Sequence, residues 1–323
     1  MSAEAAAVDV PGTATAVRFE DLHMVFTSRL GAPVHALRGF TMDVPEGAVV
    51  GLLGPNGSGK TTAISCLLRL LRPQRGEVYL WGELLGADLP AMIRRRIGVL
   101  LEDTRLPPFL SVRDALSTVG RVRGLRNRAL KTEIDRVVAQ TRVEPLLDRR
   151  VAVLSKGQAR RAGLAAALVT DPPLLILDEP SAGLDVSARE EFNDLVRSLR
   201  GHARTVLIAS HLLGDVESTC THVAIIQSGR MLLFQTAERL LREARQRHAE
   251  KDIYVEGTLA GDLERLGVRF EPSRYPGLVR LIVEEPEHEL IGRLAASQIV
   301  PSRIEPRVSL VSVYLEMTGG ASD

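Results

Sequence analysis

Apolar residues follow two different periods along this chain of 323 residues. Residues 17–53 alternate between apolar and polar positions, and this period of two predicts β-strands with a turn at residues 45–47. Two short, uninterrupted apolar runs at 174–178 and 205–210 predict strands buried on both faces of a parallel sheet. Residues 111–150 change to amphipathic helical spacing, so we expect an α/β core that carries a helical insertion.

The pattern restarts after a charged helical segment at residues 236–250. Over residues 252–305 the predicted elements follow the order β-α-β-β-α-β of a small ferredoxin-like unit, and a terminal helix is predicted at 308–318. We therefore expect three regions along the chain. They are a flexible, alanine-rich tail at 1–16, a main domain at 17–237 with a helical subdomain at about 103–165, and a C-terminal accessory domain at 238–323.

One loop between a predicted strand and a predicted helix has the composition of a phosphate-binding loop. Residues 54–61 read G-x-x-x-x-G-K-T, with Gly54, Gly59, Lys60 and Thr61 at the fixed positions of a P-loop. Glycines allow successive backbone N–H groups to surround an anion, and the following helix directs its positive end at the same phosphate. Lys60 adds a full charge, and the Thr61 hydroxyl is a candidate Mg²⁺ ligand. The sequence therefore predicts a nucleotide site.

A second motif places two carboxylates at the end of the apolar run 174–178. Asp178 closes this run, and Glu179 follows it directly. Such a strand has the form of a Walker B motif, in which the first acid holds Mg²⁺ through water and the second removes a proton from the attacking water. These two residues indicate nucleotide hydrolysis rather than nucleotide binding alone.

Charge and cysteine content restrict the remaining function classes. The formal net charge is +1, which gives no reason to expect nonspecific binding to nucleic acid. The two cysteines, Cys66 and Cys220, do not form a disulfide framework, so a reducing cytosol is expected. No run of about 18 apolar residues occurs, so this chain is not expected to span a bilayer itself.

A third motif points to a family. Residues 154–158 read L-S-K-G-Q just before a helix of small residues and upstream of the Walker B strand. Here the chain resembles the nucleotide-binding subunits of ABC transporters, whose signature is L-S-G-G-Q, and the resemblance covers residues 17–235. It implies a P-loop NTPase core with an antiparallel β subdomain and a helical insertion.

The resemblance also implies roles for individual residues, with ATP and Mg²⁺ as cofactors. Phe26 would stack on adenine, and His211 would contact the γ-phosphate. The residues implied to bind nucleotide are Phe26, Gly54, Asn56, Gly57, Ser58, Gly59, Lys60, Thr61, Thr62, Ser155, Gly157, Gln158 and Asp185. The implied catalytic residues are Lys60, Glu102, Glu179 and His211, and the implied metal ligands are Thr61, Glu102 and Asp178.

In this family Ser155 and Gly157 would face the γ-phosphate bound by another copy of the chain. The resemblance therefore implies a homodimer with two ATP molecules sandwiched head to tail. Four positions depart from the family pattern. Glu102 replaces the glutamine of the Q-loop, and Lys156 replaces a signature glycine, where its amine could reach phosphate or extend to solvent. Ala159 and Arg160 are also atypical.

Residues 309–319 resemble the closing segment of ATPase subunits from drug-resistance, antibiotic-export and sodium-efflux systems. This resemblance implies a subunit at the cytoplasmic face of the membrane that powers export of a drug, antibiotic, lipid or ion through a permease on a separate chain. The alternative is a soluble ABC-type ATPase that acts on nucleic acid or ribosomes, although such proteins usually carry a coiled coil or two cassettes. Export of a sugar polymer is a third and less favoured interpretation of the sequence.

Overall fold

The structure is a computed structural model that describes residues 14–27, 32–103, 105–199, 204–247, 251–273, 275–283 and 286–306. The chain divides into two compact units, of which the first ends at Ala237 and the second starts at Glu238. Within the described segments, no helix combines the length and the apolar character that crossing a membrane requires.

The first unit contains two β-sheets and a set of helices. Its strands are β1 (Thr15–Phe26), β2 (Val34–Pro45), β3 (Val49–Leu53), β4 (Arg75–Leu80), β5 (Glu83–Leu84), β6 (Ile97–Leu100), β7 (Leu174–Asp178), β8 (Thr205–Ser210), β9 (His222–Gln227) and β10 (Arg230–Thr236). Its helices are α1 (Lys60–Leu67), α2 (Ala91–Arg95), α3 (Val112–Val122), α4 (Asn127–Thr141), α5 (Lys156–Leu168), α6 (Val186–Ser198) and α7 (Leu213–Thr219). Helix α8 (Ala237–Arg247) leads into the second unit.

The first sheet is antiparallel and has the strand order β2-β1-β4-β5. Its inner face buries Phe19 and Phe40 completely, and their rings meet edge to face at 5.4 Å. Thr15 and Ala16, which the sequence assigns to the tail, are the first two residues of β1. Strand β1 is continuous over Thr15–Phe26, although register shifts between Phe19 and His23 interrupt its alternation.

The second sheet has six strands in the order β10-β9-β3-β8-β7-β6. Strands β3, β6, β7, β8 and β9 are parallel, and β10 pairs with β9 in the antiparallel direction. Every residue of β3, β7 and β8 is buried, and for β7 and β8 this agrees with the prediction from their uninterrupted apolar runs. The pairing of Leu53 with Ser210 and of Asp178 with Ala209 brings the carboxyl ends of these strands to one edge. Ligands bind at this edge in open α/β sheets.

Helices α3, α4 and α5 form the helical insertion between β6 and β7, together with short 3₁₀ turns at Glu144–Leu146 and Val151–Val153. Ser111 caps the start of α3 by accepting a hydrogen bond from the Asp114 N–H. The expected P-loop core with an antiparallel sheet and a helical insertion is confirmed. Helix α7, by contrast, follows His211 in a segment where the sequence predicts no helix.

The second unit is a small α+β fold. Its elements are β11 (Lys251–Glu256), α9 (Ala260–Arg265), β12 (Phe270–Pro272), β13 (Leu278–Leu281), α10 (Glu287–Ala296) and β14 (Arg303–Pro306). The strands pair antiparallel in the order β12-β13-β11-β14, which is the ferredoxin-like arrangement of the expected β-α-β-β-α-β unit. Ile253, Val255, Leu263 and Leu294 are central to its core. The terminal helix expected at 308–318 and the closing segment 309–319 lie outside the described residues.

Candidate functional site

The P-loop connects β3 to α1 and needs glycine at two positions for packing as well as for phosphate binding. Gly59 is the N-cap of α1 with φ of 111°, and a Cβ there would lie 2.5 Å from the Ala36 carbonyl oxygen. At Gly54 a Cβ would collide with the Ile226 carbonyl oxygen. The loop is therefore held against β2 and β9 at distances that only glycine allows. Asn56 and Gly57 are exposed at its tip.

Lys60 is the first residue of α1, and its side chain is buried within the loop that precedes it. Its Nζ donates to the carbonyl oxygen of Gly54 at 2.7 Å and to that of Pro55 at 3.2 Å. The same ammonium lies 3.3 Å from Oε1 of Glu179, an ion-pair distance without hydrogen-bond alignment. This ion pair joins the P-loop to the end of β7.

Glu179 is held in place by contacts in three directions. Its backbone has φ of 46°, a left-handed conformation that costs a non-glycine residue about 1–3 kcal/mol, and its N–H donates to the Ala209 carbonyl oxygen. Its Oε2 lies 2.7 Å from Nδ1 of His211. Because an ionised carboxylate can only accept, His211 donates in this bond, and its Nε2 is left for another partner.

Asp178 is almost completely buried at the tip of β7, and the Thr61 hydroxyl lies close to its carboxylate. Burial raises the pKa of Asp178, and the nearby Glu179 raises it further, whereas the neighbouring Thr61 hydroxyl opposes the shift. Its Oδ1 has no hydrogen-bond partner within the described part of the chain. A buried, unpaired carboxylate oxygen beside a hydroxyl is the ligand chemistry that Mg²⁺ requires.

Glu102 follows β6 and is exposed, and its main chain is fixed by Arg160, which the sequence indicated only as atypical for the family. Arg160, buried in α5, donates from Nη1 to the Leu101 carbonyl oxygen at 2.9 Å and from Nη2 to the Glu102 carbonyl oxygen at 2.6 Å. Burial lowers the pKa of Arg160. The negative charge of Glu102 contributes to the raised pKa of Asp178, so the two carboxylates are electrostatically coupled. The segment after β6 is therefore anchored to α5.

The signature residues begin α5 with a complete capping box. The Ser155 hydroxyl accepts from the Gln158 N–H, and Gln158 Oε1 accepts from the Ser155 N–H at 3.1 Å. Arg149 also donates to Gln158 Oε1. Gln158 therefore fixes the local fold of the signature, and at Gly157 a Cβ would touch the Ala188 Cβ at 3.0 Å.

The loop between β7 and α6 contains Asp185, which caps α6 by accepting from the Ala188 N–H at 2.9 Å. Earlier in the same loop, the buried Ser181 hydroxyl donates to Oδ2 of Asp215 on α7. Asn193 of α6 donates to Oδ1 of the same carboxylate at 2.9 Å. Asp215 therefore ties this loop to the helix that follows His211, a role that the sequence did not reveal.

The expected site residues form two groups in the structure. The first group contains the P-loop, Thr61, Asp178, Glu179 and His211, joined by the contacts above. The second group, Ser155, Gly157, Gln158 and Asp185, lines a groove of about 290 Å³. Among the described residues, no hydrogen bond or ion pair joins the first group to the second. Phe26 lies at the end of β1 and is 41% exposed, and Thr62 is half-buried on α1.

A P-loop at the end of a parallel strand, beside a Walker B carboxylate pair, defines this protein as a P-loop nucleoside triphosphatase. Comparison with known proteins narrows the class. The ABC transporter family model matches residues 37–182. The ABC transporter ATP-binding protein NatA of Bacillus subtilis (strain 168) is 32% identical over 213 residues, which are 66% of this chain and 86% of NatA.

Two further comparisons agree with this result. A Nod factor export ATP-binding protein I of Cupriavidus metallidurans is 37% identical over 191 residues, 59% of this chain and 63% of that protein. The solved structure of cbiO1 from Clostridium perfringens, part of the ABC transporter complex cbiONQ, superposes with a TM-score of 0.63 at 26% identity, and the match covers 78% of this chain and 99% of cbiO1. The chain belongs to the ABC transporter ATP-binding family. It is an ATP-binding, ATP-hydrolysing subunit.

Proposed function

We propose that this chain hydrolyses ATP to power export of a substrate through a permease on a separate chain, at the cytoplasmic face of the membrane. Support for a transporter subunit comes from NatA and from cbiO1, which is part of a transporter complex. Support for export comes from the Nod factor export relative and from the closing-segment resemblance at 309–319. These relatives favour the transporter over the soluble ATPase that acts on nucleic acid or ribosomes.

The observation that carries the proposal is the position of Glu179 between Lys60 and His211. In this arrangement Glu179 is the general base that accepts a proton as water attacks the γ-phosphorus, and the bond to the β-phosphate oxygen breaks to give ADP and phosphate. His211 donates from Nδ1 to hold the carboxylate, and its Nε2 can donate to the γ-phosphate when the ring carries both protons. Lys60 balances charge that develops on the phosphate oxygens.

Thr61 and Asp178 are the residues that would hold Mg²⁺, because a hydroxyl and an unpaired buried carboxylate oxygen lie side by side there. When bound, Mg²⁺ would neutralise charge on the β- and γ-phosphates. We assign Glu102 to the edge of this site, where its exposed carboxylate can bind the metal's water or orient the attacking water. The Asn56–Thr62 amides and hydroxyls bind phosphate, and Phe26 presents an exposed ring for adenine to stack on.

The second group of residues supports a dimer. Ser155 and Gly157 are at the first turn of α5, where N–H groups and the helix dipole favour an anion, yet they are not bonded to the P-loop group of the same chain. A second copy, related head to tail, would bring its signature to this P-loop and complete two ATP sites. The exposed helix start and the neighbouring groove beside Asp185 are surfaces suited to that contact. The second unit would serve as an accessory domain of this dimer.

The test compares purified wild-type protein with Glu179→Gln and with Glu83→Gln, a control that changes an exposed glutamate on β5. We expect Glu179→Gln to lower ATP turnover by a factor of about 10²–10⁴ while ATP binding is retained. Size-exclusion chromatography with ATP and Mg²⁺ should show a stable dimer of this variant. Full turnover by Glu179→Gln, with the control unchanged, would refute the assignment of the base.

The transport part of the proposal has its own test. The chain is co-expressed with candidate permeases encoded beside its gene, and membranes are washed and assayed for retained ATPase. We expect one permease to retain the chain and to support ATP-dependent efflux that Glu179→Gln abolishes. Retention by none of them, with ATP hydrolysis intact, would contradict the permease partnership and leave the ATPase assignment standing.

A further inference from the structure

Positive charge collects in two segments that the ATPase site does not use. Residues 91–96 contain three arginines, and residues 119–131 contain four arginines and Lys131, without a single acidic residue in either segment. The whole chain has a net charge of only +1. We call these two segments together the basic face.

The fold brings the two segments together although they are distant in sequence. Arg123, after α3, donates to the Ile97 carbonyl oxygen at 2.7 Å. The guanidinium of Arg95 lies over Gly124, where a Cβ would collide with it. Arg126 donates to the Arg121 carbonyl oxygen at 2.6 Å. The end of α2, the end of α3 and the start of α4 therefore form one continuous surface.

The cations of the basic face are not neutralised by the protein. Within the described ranges, Arg94, Arg95, Arg121 and Arg126 form no ion pair, and all four are exposed. At the other end of α3, by contrast, Arg113 pairs with Asp148 at 3.1 Å. Clustered like charges without counter-charges repel each other and create a positive potential that favours an anionic partner.

Two apolar side chains identify the kind of partner. Met92 is 80% exposed on α2, and Val122 is 82% exposed at the end of α3, so both emerge among the arginines. A surface that combines cations with exposed apolar side chains matches the membrane interface, where guanidinium groups bind lipid phosphates and apolar groups enter the headgroup region. Nucleic acid offers the phosphates but no comparable apolar layer beside them.

We propose that the basic face binds the anionic lipid headgroups of the membrane directly. This contact is additional to docking on a permease, and no residue of the basic face belongs to the nucleotide site described above. Loss of lipid binding would therefore leave ATP hydrolysis intact. The lipid-binding proposal can thus be tested separately from the proposed function. In the assembled transporter, this contact would hold the ATPase subunit at the bilayer surface.

The test measures partition of the full-length protein between buffer and vesicles, without any permease. Vesicles of phosphatidylcholine alone are compared with vesicles that also contain phosphatidylglycerol, at low and at high salt. The test variant is Arg94→Glu with Arg121→Glu. The control is Arg72→Glu with Arg230→Glu, which makes the same change in net charge at exposed arginines outside the basic face. A third variant, Met92→Ser with Val122→Ser, removes the apolar groups.

We expect binding to the phosphatidylglycerol vesicles only, and a loss of about tenfold or more in the test variant, since each cation near an anionic surface contributes severalfold. The control should bind like the wild type, and the apolar variant should lose the binding that persists at high salt. ATP turnover and thermal unfolding should be unchanged in all three variants. Equal losses in test variant and control would overturn the proposal, as would wild-type binding to DNA without binding to anionic vesicles.

Discussion

The ammonium of Lys156 lies over Gly183, so the start of the signature helix touches the loop that follows Glu179 within the same chain. Lys156 is at the first position of α5, where the helix dipole disfavours a cation. Its side chain extends along the loop, with Cε and Cδ 3.3 and 3.8 Å from the place of a Cβ on Gly183. This exposed side chain therefore covers loop backbone, an orientation that the sequence did not suggest.

This contact gives the first prediction. Gly183 has φ of 65°, and an alanine Cβ would also collide with the Lys156 amine. The flexible end of Lys156 can move aside, so the cost of the substitution comes mainly from the left-handed backbone at this position. Gly183→Ala should therefore lower the free energy of unfolding by about 1 kcal/mol. Adding Lys156→Ala should recover only a small part of that loss in denaturant titrations. Full recovery in the double variant would show that the collision, and not the backbone, dominates.

Asp178 gives a prediction in which stability and activity change in opposite directions. Burial raises its pKa above the unfolded value, so its ionised form destabilises the fold, and this cost disappears as the pH falls through the folded pKa. Asp178→Asn should therefore increase the free energy of unfolding by about 1 kcal/mol at neutral pH, and by less in mild acid. ATP turnover should fall about a hundredfold or more because the proposed metal ligand is lost. Thermal unfolding at two pH values measures the first effect, and a lower stability at neutral pH would contradict it.

Asp215 accepts hydrogen bonds from two buried partners, Ser181 and Asn193. Asp215→Ala leaves both donors unsatisfied and should lower the free energy of unfolding by about 2–5 kcal/mol. Turnover should also fall, because Ser181 lies two residues after Glu179. Asp194→Ala, which breaks only an exposed ion pair on α6, should cost less than about 1 kcal/mol. Equal effects of the two substitutions in urea titrations would argue against a buried network.

Cys66 gives a prediction at alkaline pH. Burial raises the pKa of its thiol from 9.0 to about 11, although the positive charge of Arg69 partly opposes this shift. As the pH rises, the unfolded chain releases the thiol proton at a lower pH than the folded protein does. This group should therefore lower the free energy of unfolding by about 1 kcal/mol between pH 8 and pH 10. In Cys66→Ala this contribution to the fall of the free energy of unfolding with pH should be missing. Iodoacetamide should label Cys66 in denaturant but not in the folded protein at pH 8; rapid labelling of folded protein would contradict its burial.

The sequence was sufficient to predict where residues next to a buried strand lie, because their position depends on the local pattern alone. Lys60 follows a glycine loop after one apolar run, and Asp178 closes another, so parallel pairing was enough to bring them to the same edge. The same reasoning reached the ferredoxin-like order of the second unit, since its strands and helices alternate with clear periods.

The features that the sequence did not predict depend on contacts between distant residues, which leave no local pattern. Helix α7 contains only Leu213–Thr219, which is too short to show a helical period, and bulges in β1 hide its continuity. Asp215 meets Ser181 across 34 residues, and no spacing rule connects them. The left-handed backbone of Glu179 is likewise a product of tertiary packing and not of residue type.

Arg160 holds the segment after β6 through two main-chain oxygens, those of Leu101 and Glu102, and not through their side chains. Since every amino acid presents the same carbonyl group, these two hydrogen bonds do not depend on the side chain at either position. Substitution of Glu102 can therefore change the side-chain charge in this segment without removing its main-chain contact with Arg160. The charge at position 102 is thereby independent of the anchor that holds the segment.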